Sequence, residues 1–387
     1  MRSDFIIDVL YSGFRELGLD IYDYPFKPHH HARLVGGKLQ IQDNIGNTIG
    51  SEGDSDGLIH FVDAYGGLRK IPKWVCSLHS QGSQSLELLP PLDFSDFDLI
   101  IVGVIGSDKR VWDAVCDACS KARERTVFVD GSDDPFMRSL GKKVQLCFKR
   151  ELMTRVTWRT FAWLRHIYPP LDLNLNNPLN IIDLRETVRN IWYPSNSTLK
   201  NILPINITVN SHSTNLYNRG IEKDYDISFL CSLTSKYRLQ FAHFLRNFAR
   251  ETDLKIFIGN NENGLGASSF TGSLPWDQYS EALISSKISV SLPGLGYDTA
   301  RYWEIPYYGA VLASPYLPIA IPNNFEDMNS AVFFKNYPDF ASKVKKILQD
   351  GSWSSIAASG NSLFKRHHTS KKRAEYVLRS MLSRNSR

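Results

Sequence analysis

Arg301 and Glu304 stand three residues apart behind two glycines, Gly294 and Gly296, in the stretch SLPGLGYDTARYWEIPYYGAVLAS. The apolar run before the glycines reads as a strand and the run after them as a helix. Gly309 then closes the helix ahead of a second apolar strand. A loop of this kind is built for an anion. Glycine lets the backbone turn tightly and brings N–H groups close to a ligand. A helix N-terminus adds donors and the positive end of the dipole. Asp298 or Thr299 can cap the helix. Arg301, in the first turn, can add a charged and two-pronged contact to a phosphate. Glu304 shares a helix face with Arg301, and a carboxylate there suits a vicinal diol such as a ribose. Together these residues describe a site for a nucleotide diphosphate. The plain alternative is an Arg–Glu pair on an ordinary helix.

Other chemistry-bearing residues lie apart in sequence. VFVDGSDDP places Asp130, Asp133 and Asp134 at the end of a predicted strand. One of them can take the proton of an attacking hydroxyl, or all three can serve as a turn and helix cap before Pro135. Arg238, near the end of SLTSKYR, can approach a diphosphate or lie at the surface. GNNENGLG is glycine-rich without the G-x-G-x-x-G spacing and reads as a loop at a cleft. Trp276, Tyr297 and Trp303 fall near the site, and Trp303 is expected to pack in the core. Cys116 and Cys119 form a C-x-x-C inside a helical pattern. No second pair or His cluster supplies four zinc ligands, so no metal site is expected. The cluster His29–His31 follows a proline and reads as a loop.

The elements that must position these residues alternate. FDLIIVGVI, a helix from Lys109 to Arg123 and RTVFVDG give the β-α-β rhythm of a parallel sheet. DFIIDVLYSGFRELG reads as a strand entering a helix, DIYDYP as a short strand and LIHFVD as a strand. The Gly- and Asp-rich segment from Gly36 to Gly57 reads as looped. From about Tyr168 to Val209 the pattern dissolves into Pro, Asn and Leu, which reads as a linker. Alternation resumes at YDISFLC and runs through helices over Ser235–Thr252, Trp276–Ser286 and Pro338–Gln349. The expected fold is α/β with two Rossmann-like domains, divided into 1–209 and 210–368, with a C-terminal helix over 369–387. Ligands of such sheets bind beyond the strand carboxyl ends.

The chain of 387 residues is long enough for two domains, and 42% hydrophobic against 22% charged residues excludes general disorder. No apolar run approaches the roughly 20 residues of a membrane span, and the N-terminus does not read as a signal peptide. Five scattered cysteines fit a reduced, cytoplasmic protein, in which the sequons at Asn196 and Asn206 carry no meaning. The net charge of +5 fits phosphorylated ligands and is too small to argue for nucleic acid. Much of it sits in the tail FKRHHTSKKRAEYVLRSMLSRNSR. That tail is either a solvated basic helix or a surface for an anionic acceptor or a peripheral membrane contact.

DTARYWEIPYYGAVLAS resembles the nucleotide-sugar site of the two-domain, GT-B glycosyltransferases, and more closely the CgeB-like, spore-maturation-type group. There a D-T-x-R-x-W/F-E helix is followed five residues after the Glu by a Gly, as Glu304 and Gly309 are here. YDISFLCSLTSKYR resembles the group's first C-domain strand and loop, with Arg238 at its Arg position. TGSLPWDQYSEALISSKI resembles the base-contacting turn, with Gly272, Ser273 and Leu274, and the helix after it. HHTSKKRAEYVL resembles the terminal helix. The resemblance implies a metal-independent transferase with no cofactor. It would move a sugar from a nucleotide-diphosphate sugar, such as a UDP-sugar, to a glycan, lipid-linked or protein acceptor held by the first domain. It also implies donor contacts from Arg238, Gly294, Gly296, Tyr297, Asp298, Thr299, Arg301 and Glu304, and a last helix that crosses back to the first domain. Many retaining relatives carry a second Glu where this chain has Gly296, so that sugar contact does not carry over. An epimerase of the same fold and a non-catalytic binding module are the rival readings.

Overall fold

The computed structural model describes residues 5–22, 32–35, 38–42, 48–51, 58–62, 68–72, 94–103, 116–117, 119–133, 137–138, 141, 143–152, 191–192, 201–209, 222–231, 236–259, 276–294 and 296–385. Helix α1 (Phe5–Glu16) is helical from its first turn, where a strand entering a helix is expected. The reason is its periodicity: Ile6, Val9, Leu10 and Phe14 are all buried, one stripe at helical spacing. Strands β1 (Ala32–Val35), β2 (Lys38–Gln42) and β3 (Thr48–Ser51) form an antiparallel meander, and β4 (Leu58–Val62) pairs with β5 (Leu68–Pro72) as a hairpin. The expected loop over 36–57 therefore contains two strands. Leu39 and Ile41 alternate with Lys38, Gln40 and Gln42, a period of two that the neighbouring glycines mask.

The first parallel sheet is built from β6 (Ile100–Val102), β7 (Thr126–Asp130), β9 (Leu146–Lys149) and β11 (Ile202–Pro204), in the order β11-β9-β7-β6. Beside it β8 (Met137–Arg138) pairs antiparallel with β10 (Ile191–Trp192). β11 corrects the linker expected there. Its proline hides it, yet Pro204 is tolerated because β11 is the edge strand, where a missing N–H breaks no inner ladder. The next five residues, 205–209, are buried, and Asn206 is fully so, which removes it as a glycan acceptor.

The second sheet takes β12 (Tyr225–Leu230), β13 (Ile256–Gly259), β14 (Ser286–Val290), β15 (Val311–Pro315) and β16 (Val332–Phe334), in the order β13-β12-β14-β15-β16. All its pairs are parallel. Its helices are α2 (Lys236–Glu251), α3 (Trp276–Ile284), α4 (Ala300–Tyr307), α5 (Tyr337–Gln349) and α6 (Trp353–His367). One face carries an aromatic cluster, with Phe241 stacked on Phe334 at 5.8 Å and Phe244 on Tyr337 at 4.7 Å. The other face shares its core with the first half. That single apolar cluster joins Ile6, Leu10, Val129, Phe148 and Ile207 to Trp303, Phe364 and Val377.

Helix α7 (Ser370–Asn385) explains the sharing, because it leaves the second sheet and lies on α1. Ala374, Val377 and Met381 are buried there, while Lys371 and Arg379 face water. Each buried Val or Met contributes roughly 1.5–3 kcal/mol. Gly13 permits the approach, since a Cβ at that position would collide with the Ser370 carbonyl. Ser370 Oγ donates to Glu16 Oε1 at 2.8 Å, and Arg373 Nε donates to the Asn206 carbonyl at 3.1 Å. The crossing residue, His368, lies 4.8 Å from the Trp303 ring and hydrogen-bonds the Asn323 carbonyl through Nε2 at 2.9 Å. Its Nδ1 accepts from Arg373 at 3.0 Å. Burial, and then the Arg373 charge, push the imidazole down to about 2, so it stays neutral. The architecture is thus α/β, with two parallel-strand sheets, flanking helices and a last helix returned to the first half.

Candidate functional site

The glycine loop begins where β14 ends. The Gly294 N–H donates to the Gly296 carbonyl at 2.8 Å and closes a tight turn. Arg238, on α2, lies against this turn: Nε donates to the Pro293 carbonyl at 3.0 Å and Nη2 to the Leu292 carbonyl at 3.0 Å. A Cβ on Gly294 would lie 2.8 Å from that Nη2, so a larger residue there would push the guanidinium aside. Burial and the neighbouring Arg301 charge lower Arg238 to about 10, which leaves it charged at neutral pH. Thr299 is the N-cap of α4 without a side-chain cap bond; its hydroxyl pairs with Ser291 Oγ at 2.9 Å instead. Gly309 ends α4 at φ +77°, the left-handed position that suits glycine after a helix.

Arg301 and Glu304 share a face of α4, and Tyr279 of α3 lies between them. Arg301 Nε donates to the Tyr279 hydroxyl at 3.2 Å, and that hydroxyl donates to Glu304 Oε2 at 2.5 Å. Glu304 is 2% exposed. Burial, helped by Glu304, holds the Tyr279 phenol well above its ordinary value, so it keeps its proton. Burial works against the Arg301 guanidinium, but Tyr279, Cys231 and Glu304 outweigh it and hold the group above its ordinary value. The result is a fixed cation beside a fixed carboxylate, one helical turn apart.

The carboxyl edge of the first sheet faces this loop. Arg150, just past β9, donates Nη1 to Asp133 Oδ1 at 2.7 Å and to the Gly131 carbonyl at 3.3 Å. Its Nε reaches Asp298 Oδ2 at 3.4 Å, and its Nη2 donates to the Asp298 carbonyl. Glu151 accepts the Asp298 N–H at 2.9 Å and the Tyr297 N–H at 3.2 Å. A Cβ on Gly296 would collide with Glu151 Oε1 and lie 2.9 Å from Asp133 Oδ1. The Ala320 N–H donates to the Leu152 carbonyl at 2.6 Å. The strand ends of both sheets thus converge on residues 294–299.

The aspartates divide. Asp130 is 0% exposed and forms a buried pair with Lys149 at 3.2 Å; its Oδ1 also accepts from Ser132 Oγ at 2.5 Å. Among the described residues its Oδ2 is buried without a hydrogen-bond partner. Asp133 has a side chain 45% exposed and faces the loop. Asp298 accepts from the Ile207 N–H of the first half and from Trp303 Nε1 of α4, both at 2.7 Å. Burial pushes its carboxyl up, and Arg150, the Trp303 indole, the Ile207 amide and Arg373 pull back only in part. Trp303 is fully buried, as expected of a core residue, with the Arg373 guanidinium 4.8 Å from its ring. Asp134, Gly272, Ser273, Leu274, His29–His31 and the loop 260–266 lie outside the described residues. Among the described residues no group of three His, Cys, Asp or Glu suits a metal, and no helix is long and apolar enough to cross a membrane. The Cys119 thiol is pushed up to about 11 by burial and by Cys116.

Arg150, Glu151 and Tyr279 escape the sequence reading. The signal for the first two is KRE directly after the buried run LCF, three charges at a strand's carboxyl end.

Residues 238–379 match the family described as glycosyl transferase-like. The match runs from α2 into α7 and includes Arg238, the glycine loop, Arg301 and Glu304. No curated protein matches the chain. Among solved structures, the GtfA/B complex is similar at TM-score 0.44 and 11% identity, over 89% of this chain and 67% of that one. A mutant of S. aureus TarM, in complex with Fondaparinux, alpha-GlcNAc-glycerol and UDP, is similar at 0.41 and 8%, over 89% and 66%. Trehalose-6-phosphate synthase OtsA is similar at 0.42 and 10%, over 81% and 78%. The chain spans about two thirds of the length of the first two.

Proposed function

We propose that the protein is a glycosyltransferase of the GT-B type, in the CgeB-like group, that moves a sugar from a nucleotide-diphosphate sugar to an acceptor. The observation that carries this reading is the grip of the Tyr297 and Asp298 amides on a carboxylate. A loop whose N–H groups hold one anion is suited to another, and here it leads into the helix that carries Arg301 and Glu304. The glycosyl transferase-like match over the same residues supports the assignment.

In this reading residues 210–368 hold the donor and residues 1–209 the acceptor. The diphosphate lies at the loop amides and Arg301, and the ribose diol donates to Glu304. Arg238 acts through the loop, since its Nε and Nη2 donate to the Pro293 and Leu292 carbonyls. As the acceptor oxygen attacks the anomeric carbon, the bond to the diphosphate oxygen breaks and the diphosphate leaves with the electron pair. Backbone N–H groups and arginine stabilise that leaving charge, so no metal or cofactor is invoked. In an inverting transfer the acceptor proton goes to a carboxylate; retention or inversion stays open. Among Asp130, Asp133 and Asp134, Asp133 fits best of the described pair, because its side chain is partly exposed while Asp130 is buried against Lys149. A cytoplasmic location belongs to the same reading.

Screening UDP-, GDP- and dTDP-sugars for binding and then for hydrolysis tests the proposal. Binding by at least one donor, with release of its nucleoside diphosphate, is expected. Absence of binding across the panel overturns it.

A further inference from the structure

Glu151 is fully buried, and both of its carboxylate oxygens are engaged by the loop: Oε1 by the Asp298 N–H at 2.9 Å and Oε2 by the Tyr297 N–H at 3.2 Å. It comes from the first sheet and reaches across to the second, 146 residues along the chain. Gly296 makes the contact possible, because any side chain there would collide with Glu151 Oε1. Each amide has one proton to give. A phosphate oxygen bound to the same two amides would occupy the place of the carboxylate, and two anions at that spacing also repel.

We propose that Glu151 is an internal competitor for the nucleotide phosphate. In the unliganded protein its carboxylate holds the glycine loop to the first sheet, and phosphate binding displaces it. This deepens the function proposed above and rests on it. Apparent affinity is then scaled down to the fraction of molecules in which the loop amides are released, so donor binding and release of the Tyr297 and Asp298 amides from Glu151 are one event. Arg150 stays in place through Asp133 and Asp298, so the halves remain registered while the loop is freed.

The test is calorimetric titration of the full chain with UDP and with GDP, alongside melting of the ligand-free protein. Two variants release the latch. Glu151→Gln weakens the acceptor while keeping its shape. Glu151→Ala removes the carboxylate altogether and leaves both amides open to a phosphate. Both are expected to lower the ligand-free melting temperature and to tighten nucleotide binding, by about tenfold if the latch is closed in some nine molecules of ten. A strut would also lower the melting temperature but would leave affinity unchanged or weaker. That result, in a wild-type protein that binds nucleotide, overturns the latch alone. Failure of wild type and both variants to bind either nucleotide removes the donor-site reading and the latch with it. Should Glu151→Gln not fold, Glu151→Ala decides by the same signs.

Discussion

The two edges that meet at the glycine loop are built in opposite ways. On the second sheet the groups that matter are local: glycines, a helix start, Arg301 and Glu304 all fall within eleven residues of Gly294. On the first sheet they are long-range. Arg150 finds Asp298 at a separation of 148 residues and Arg373 finds Asn206 at 167. The local edge can lose a side chain and keep its frame. The long-range edge spends its charges on holding the frame together, so a loss there is a loss of structure.

The sharpest way to break this contrast is Asp298→Ala. It takes the Nε partner from Arg150, which keeps Asp133, and an acceptor from both the Trp303 indole and the Ile207 amide. A buried donor left unsatisfied costs about 1–3 kcal/mol, and denaturant unfolding should show a loss of about 2–6 kcal/mol for the two. A loss under 1 kcal/mol would mean that the long-range edge is not structural. Removing the residues after His368 strips Ala374, Val377 and Met381 from the shared core. It should lower the melting temperature and turnover together; an unchanged truncated protein would detach α7 from the account.

His368 gives a pH test of the same edge. Its folded value lies near 2, far below the usual 6.5, so below about pH 6.5 the unfolded chain binds the extra proton and stability rises with pH. His368→Gln should flatten the stability profile between pH 5 and 7 by up to about 1.4 kcal/mol per pH unit. An unaltered slope would show that the imidazole is not held neutral. The smallest effect belongs to the local edge. Glu304→Gln should cost ribonucleotides more affinity than their 2′-deoxy analogues, with little change in melting temperature; equal losses would remove the ribose contact.

The same distinction explains what could be read from the sequence. The second sheet, its helices and the stripe on α7 follow from periodicity, and the loop–helix–glycine pattern at residues 294–309 from residue type and spacing. β11 could not be read that way because Pro204 disguises an edge strand, nor β2 and β3 because their strands are short and set among glycines. Glu151 and Tyr279 were hidden for another reason. Nothing near them in sequence shows that they meet residues 297–304, and only tertiary packing brings them there. Asp298 looked like a helix cap because caps are local, yet its partners are Ile207, Arg150 and Trp303.

The central claim is that the glycine loop and α4 bind a nucleotide diphosphate. Calorimetric titration of wild type and Arg301→Ala with the nucleoside diphosphate that wild type binds tests it most directly. Arg301 contributes a charged hydrogen bond to the phosphate, so the variant should lose about 1.5–3 kcal/mol of binding free energy while its melting temperature and far-ultraviolet circular dichroism stay those of wild type. Equal affinity in the two folded proteins would contradict the claim.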